Sequence, residues 1–391
     1  MQEDPELQIT RLQTGDEIYE RREPCTTYHI YPVKDKCHKR ITAAVDIKRE
    51  SPLSREGRTA RKERKARRAN EQHDAGTDEA YKIEKDQDDK EQDAFYLHSP
   101  YLSFASPPQV LYIGSTNHTP FTPAVLIHPS FLWKRYKLQY GESLAKTGVL
   151  DPRGVVSWTH NGGSKSDLKR VPTTLKGYKV RTWRLWGECG KNYVHEVNSK
   201  RKCRTEDWPD PDVLEIGPGA TEKPVRPVQA EGVLYLEWDK PFSKRTREYR
   251  WRYGGLEFRW KGTGRTEKTG FWGWFVKINH LKLVAMIPEK GMEEDAQTEV
   301  CLARYTCSVS KKKNGRLEIH DERLLRLYEE HVRDQKRVYP IESEETRVKA
   351  LKITMFYALV IATAVCMVSS EKAKREAVGK WIKEAAENAG G

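Results

Sequence analysis

One stretch constrains this chain more than any other: Ile353 to Val368, ITMFYALVIATAVCMV, sixteen residues without a charge. A helix that is apolar on every side must be buried, either in lipid or in the core of its own protein. At about 1.5 Å per residue the run is about 24 Å long, short of the roughly 30 Å hydrocarbon layer of a bilayer. Extending it to Ser370 gives eighteen residues, the low end for a span, with Arg347, Lys349 and Lys352 before it and Lys372, Lys374 and Arg375 after it. Basic residues on both flanks carry no orientation signal. The hydroxyls discriminate better. Strand carbonyls or waters in a protein core can satisfy Thr354, Tyr357 and Thr363, whereas lipid leaves them only their own helix backbone. Burial in the chain's own core is therefore favoured, with a carboxy-terminal membrane anchor as the alternative. Ile353, Phe356, Leu359, Val360, Ala362, Val365 and Val368 are the expected packed positions in either case.

The aromatic residues say what could surround such a helix. Eleven Trp and eighteen Tyr are concentrated between Tyr96 and Trp274, where short runs rich in β-branched and aromatic side chains alternate with Pro, Gly and Asn. Strands are expected at Gln109 to Ile113, Ala124 to His128, Trp133 to Tyr140, Val155 to Trp158, Tyr178 to Trp186, Val233 to Trp238, His280 to Ile287, Thr298 to Ser310 and Arg316 to Ile319. Two more, Thr26 to Val33 and Arg40 to Ile47, lie near the amino end. The clearest element is YRWRYGGLEFRW, in which Gly254-Gly255 links two alternating runs as a two-residue hairpin. Pairing across it sets Tyr253 opposite Leu256, Trp251 opposite Phe258 and Tyr249 opposite Trp260, one aromatic face. On the other face Arg252 meets Glu257, Glu248 meets Lys261, and Arg250 meets Arg259, a like-charge pair that an anion or a nearby carboxylate would ease. Helices are expected from Asp321 to Arg333 and from Ser343 to Ala389.

Together these give a mainly β fold: an antiparallel barrel with a hydrophobic carboxy-terminal helix and a disordered charged insertion. The division reads as 1–47, an amino-terminal segment; 48–95, a charged linker; 96–370, the barrel with its central helix at 343–370; and 371–391, a basic helical tail. Within the linker, Arg55 to Arg68 is dense in Arg and Lys, and Asp74 to Asp93 is predominantly acidic, so the two blocks can neutralise each other.

The strand and helix pattern resembles the tubby carboxy-terminal fold, shared with phospholipid scramblases and LURP-one-related proteins. DPRGVVSW (Asp151 to Trp158), KGYKVRTWRLWGECGKNYV (Lys176 to Val194), YGGLEFRWKGTG (Tyr253 to Gly264) and HLKLVAM (His280 to Met286) are similar to segments of fungal proteins of this kind. The resemblance covers roughly Tyr96 to Ser370. It implies a barrel threaded by the apolar helix and association with membrane lipid through Lys and Arg on the strands.

Catalytic and cofactor signatures are lacking. Gly162-Gly163-Ser164-Lys165-Ser166 ends in Ser where a nucleophile elbow needs Gly, and no Gly-rich phosphate loop or dinucleotide fingerprint is complete. No short-spaced Cys or His pair marks a zinc site, and seven scattered cysteines read as the reduced thiols of an intracellular protein. Residues 1 to 20 are acidic and lack an apolar core, so a secretory leader is not expected. A net charge of +13 favours an anionic partner.

The expectation is thus a non-catalytic protein without cofactor or metal, cytoplasmic or membrane-associated, that binds anionic membrane lipid or an acidic protein partner. Candidate contacts are Lys134, Arg135, Lys137, Arg181, Arg184, Arg250 and Arg259. A nuclear role for Arg55 to Arg68 on nucleic acid ranks last, because no recognition motif accompanies it.

Overall fold

The computed structural model describes residues 25–33, 38–50, 55–71, 94–100, 106–114, 122–129, 135–151, 154–157, 170–178, 228–238, 248–267, 278–288, 297–308, 312–332 and 343–389. The strands among them are β1 (Thr26–Pro32), β2 (Lys39–Thr42), β3 (Phe95–His98), β4 (Gln109–Ile113), β5 (Thr122–Pro129), β6 (Arg135–Tyr140), β7 (Gly232–Trp238), β8 (Tyr249–Tyr253), β9 (Leu256–Glu267), β10 (Ile278–Pro288), β11 (Gln297–Cys307) and β12 (Gly315–Ile319). The helices are α1 (Arg55–Glu71), α2 (Asp321–Leu327, continued by a π turn, Tyr328–Val332), α3 (Glu344–Lys352) and α4 (Met355–Ala389).

The twelve strands form one closed antiparallel barrel, each pairing with its sequence neighbour, and β1 closes the ring on β12. Alternation drives the closure. In β12, Gly315, Leu317 and Ile319 are buried while Arg316 and Glu318 are partly exposed, and β8 alternates likewise, whereas β1 and β5, each with four consecutive buried residues, are covered on both faces. β1 and β2 are staves of the barrel, so the barrel begins at Thr26, well before the boundary at residue 96 drawn from the sequence. β2 is shorter than expected because the chain leaves the sheet after Thr42 and turns through residues 43–50. Of the strand expected at Val155 to Trp158, the described residues 155–157 supply isolated bridges, Leu150 to Val156 and Ser157 to Tyr178, and Trp158 lies outside the described residues. The strand expected at Tyr178 to Trp186 lies, beyond Tyr178, outside the described residues. The same is true of all the charged insertion except 48–50, α1 and 94–95.

The β8–β9 hairpin has the register set by its residue pattern, from Tyr253 with Leu256 to Tyr249 with Trp260. Its turn holds Gly254 and Gly255 at φ 57° and 80°, values at which a side chain would be strained. Glu248 and Lys261 do not meet. Glu248 contacts Arg250 at 3.7 Å, and Lys261 turns outward along the sheet to bond Glu299 of β11.

Inside the ring lies α4. Phe356, Leu359, Val360, Ala362, Val365 and Val368 are all buried, and 83% of the apolar window Met355–Ala373 is enclosed by protein. A barrel of about eight strands is filled by its own side chains, so a twelve-strand ring is wide enough to admit a helix about 10 Å across. Small residues on the helix, Ala358, Ala362 and Ala364, share one hydrophobic core with large wall residues that include Trp251, Phe258 and Trp260. Ile353 departs from expectation and is 73% exposed. The long helix is broken there: Ile353 caps the end of α3, and Thr354 restarts the chain by accepting the Tyr357 amide on its hydroxyl.

Each polar group on the enclosed part of α4 has a partner. The Tyr357 hydroxyl lies 3.1 Å from Asp321 Oδ1 and 3.2 Å from the Tyr28 hydroxyl. Trp260 Nε1 donates to Thr363 Oγ1 at 3.2 Å, and Thr363 donates on to the Val360 carbonyl. At the far end Tyr136 meets Ser370 at 2.7 Å, Tyr249 donates to Glu371 at 2.8 Å, and the Lys39 ammonium donates to Ser369. These are the hydroxyls that would be costly in hydrocarbon.

Lys39 is the one element of this network that opposes folding. Burial pushes its ammonium down to about 8; the nearby Cys366 thiol opposes the shift and the charge of Lys372 adds to it. Because the folded value lies below the unfolded one, the cost of burying the charge is complete below about pH 8 and fades as pH rises toward about 10.4. Lys39→Met is expected to stabilise the protein by about 3 kcal/mol at neutral pH, with the advantage shrinking between about pH 8 and 10. Urea unfolding of both proteins across that range tests this, and a difference independent of pH would contradict it.

Candidate outer-surface anion site

Because α4 occupies the barrel interior, a binding site must be sought on the outside. In β6, Tyr136 and Leu138 point inward, which turns Arg135, Lys137 and Gln139 outward. The outer surface of β4 to β6 is itself covered by a small second core of Val110, Leu126, Leu144, Val149, Val156, Leu175 and Ala230. Gln139 is buried beneath this cap, where its amide donates to the Pro172 and Thr174 carbonyls at 2.8 and 2.9 Å. Its remaining acceptor, Oε1, lies 2.8 Å from His128 Nε2. The amide assignment therefore makes His128 the donor and leaves its Nδ1 bare in the neutral ring.

Lys137 stands at the edge of this cap, half-buried, with His128 of β5 on one side and Tyr235 of β7 on the other. Lys176 projects from the cap, its ammonium 5.2 Å from the centre of the Tyr178 ring. Burial pushes the His128 imidazole down to about 4, against the Gln139 hydrogen bond, and the charges of Lys137 and Lys176 push it further the same way. Burial also lowers Lys137, and among the described residues it has no carboxylate to offset that cost. A partly desolvated cation without a counter-charge is stabilised by an incoming anion. Arg135 borders the site, 3.7 Å from Glu237 and 4.7 Å above the Tyr235 ring.

The hairpin arginines have a different setting. Arg250 and Arg259 are cross-strand partners, and carboxylates within the hairpin ease their repulsion. Arg259 Nε donates to Glu257 at 2.6 Å, Arg252 reaches the same carboxylate at 3.4 Å, and Arg250 has Glu248. Burial alone would raise the Glu257 carboxyl, but the Arg259 hydrogen bond and charge, with Arg250 and Arg252, hold it below the usual range. Lys134, Arg181 and Arg184 lie outside the described residues. Of the candidate cations the structure thus brings Arg135 and Lys137 together on one outer strand and sets Arg250 and Arg259 in a separate group paired with Glu248 and Glu257.

His128 and Lys176 were missed because nothing local marks them. His128 lies in a strand that reads as core, and Lys176 in a loop whose return over β6 is a tertiary event. Among the described residues no three His, Cys, Asp or Glu side chains converge on a point that could hold a metal. Comparison of the chain with protein-family models, curated proteins and solved structures gave no match.

Proposed function

We propose that this chain is a non-catalytic binding protein, plugged by its own helix, whose outer face holds the phosphate of an anionic membrane lipid at Lys137 and Lys176. The observation that carries this is the half-buried Lys137 ammonium, which shares the neighbouring His128 imidazole with the charge of Lys176 and has no carboxylate beside it among the described residues. A closed twelve-strand barrel around a carboxy-terminal apolar helix is compatible with the resemblance to tubby-like and scramblase-like proteins, from which the lipid ligand is drawn. On this reading the protein works inside the cell and associates with membranes from their surface. An acidic side chain of a protein partner offers the same anionic chemistry and is the other source of the ligand.

Flotation of the full-length chain with phosphatidylcholine vesicles, with and without a few per cent phosphoinositide, tests the proposal. Binding is expected only with the anionic lipid. Lys137→Ala with Lys176→Ala is expected to weaken it about tenfold or more, the loss of two charge-assisted contacts. Equal binding by the double variant overturns the site. Retention of the chain in membranes after alkaline carbonate extraction overturns the surface mode and means that α4 has entered the bilayer.

A further inference from the structure

α1 carries eight basic and three acidic residues, and its only apolar side chains are alanines. It begins five residues after a turn that is fixed to the barrel. There, buried Glu50 accepts hydrogen bonds from Lys313 Nζ at 2.6 Å and from the Tyr31 hydroxyl at 2.7 Å. Arg61 on α1 locks onto this turn by donating to the Ile47 and Glu50 carbonyls at 3.2 Å each. The helix is therefore held on the outside of the barrel beside β1 and β12. Arg58, Lys62, Arg64 and Lys65 are exposed, and none has an ion pair or hydrogen bond among the described residues. Arg64 and Lys65 also line, with Arg61 and Ile47, a cavity of about 300 Å³.

From this juxtaposition we propose that α1 is a docking ridge for the phosphate backbone of a nucleic acid, read without regard to sequence. A row of exposed cations gains binding energy from a regular array of phosphates by releasing condensed counterions, and needs no desolvated contact to do so. The other anionic partners fit less well. An interfacial membrane helix inserts an apolar face, which α1 lacks. A protein partner draws its affinity from buried aromatic or aliphatic anchors, and the exposed stretch 62–66, KERKA, offers none. Arg58, Lys62 and Lys65 fall on one face within about 10 Å along the helix, a length that spans several phosphates, and Arg64 adds a cation on the flank that lines the cavity. Fixing the helix through Arg61 removes much of the ordering cost that a free basic tail would bear on binding.

The ridge is separate from the Lys137 site. β6 lies five strands from β1 around the ring in one direction and seven in the other, so one flat membrane cannot touch both faces. The two proposals can therefore fail independently.

The test uses the full-length chain and a fluorescein-labelled DNA duplex of about 20 base pairs, with anisotropy followed over a salt series. Four phosphate contacts predict a fall in affinity of roughly 100-fold between about 50 and 200 mM salt. Neutralising them together (Arg58→Gln, Lys62→Gln, Arg64→Gln, Lys65→Gln) is expected to reduce the slope of log affinity against log salt by about 3 to 4. The control, Lys137→Gln with Lys176→Gln, is expected to leave the slope unchanged. An unchanged slope in the fourfold variant overturns the ridge. So does a variant that loses phosphatidylserine-vesicle binding as steeply as DNA binding, because α1 would then be a general electrostatic contact with membranes. The four substituted α1 side chains are exposed, Lys137 in the control is half-buried, and an unaltered circular dichroism spectrum of each variant shows that the comparison is between folded proteins.

Discussion

Ala362→Arg is expected to unfold the whole barrel. Ala362 has no exposed surface and sits midway along the enclosed part of α4, among residues that are buried on every side of the helix. A guanidinium there would have to be accommodated against the barrel wall, far longer than the methyl it replaces and without a counter-charge. Desolvating an unpaired charge costs several kcal/mol after relaxation, and overpacking adds about 1 to 3 more. That sum is comparable to the whole stability of a domain, about 5 to 15 kcal/mol. Because α4 is the core of the ring, loss of its packing removes the inner support of all twelve strands at once. Circular dichroism and urea titration of the variant check this, beside Glu376→Arg as a control at an exposed position on the same helix. A cooperative transition near that of the unaltered protein would show that α4 is not the core.

Glu50→Ala should produce the second largest loss, about 3 to 5 kcal/mol. The Glu50 carboxylate is buried with Lys313, takes the hydroxyl of Tyr31, and has His29 Nδ1 at 3.8 Å. Its removal leaves the Lys313 ammonium in a dry site without that carboxylate, and the Tyr31 hydroxyl without its acceptor. Burial and the Glu50 hydrogen bond together push the Tyr31 phenol well above its ordinary value, in keeping with a closed environment. Replacing the pair at once, Glu50→Ala with Lys313→Met, is expected to recover most of the loss, because no buried charge is then stranded. Guanidinium unfolding of the two single variants and the double variant gives the coupling energy. Additive losses would mean that the two groups do not share a site in the folded protein.

Much of this architecture was legible in the residues. Period-two alternation and the Gly254-Gly255 pair determine the β8–β9 register, because a slip of one residue would turn Trp251, Phe258 and Trp260 out into water. The absence of charge from Thr354 to Ser370, combined with hydroxyls at Thr354, Tyr357 and Thr363, determines that a helix forms there and that protein suits it better than lipid. The proposed anion site was legible only in part. Arg135 and Lys137 stand out as alternating cations in a strand, but the same pattern also marks Arg250 and Arg259, whose charges are met by Glu248 and Glu257.

What the chain by itself determined, then, was a set of local preferences: which segments are strands, which face of each is apolar, and that one helix must be enclosed. Three matters were left to the tertiary structure. It decided that β1 and β2 complete the ring, since closure depends on β1 meeting β12 almost three hundred residues later. It decided that Ile353 is exposed, since the chain ends α3 at Ile353 and restarts α4 from Thr354. It also decided which cations keep an unmet charge, since that depends on whether a carboxylate lies within a few ångströms, and side chains distant in sequence set that distance. Local periodicity carries information over a few residues, whereas ring closure, helix entry and charge pairing are fixed by contacts that only the complete fold brings together.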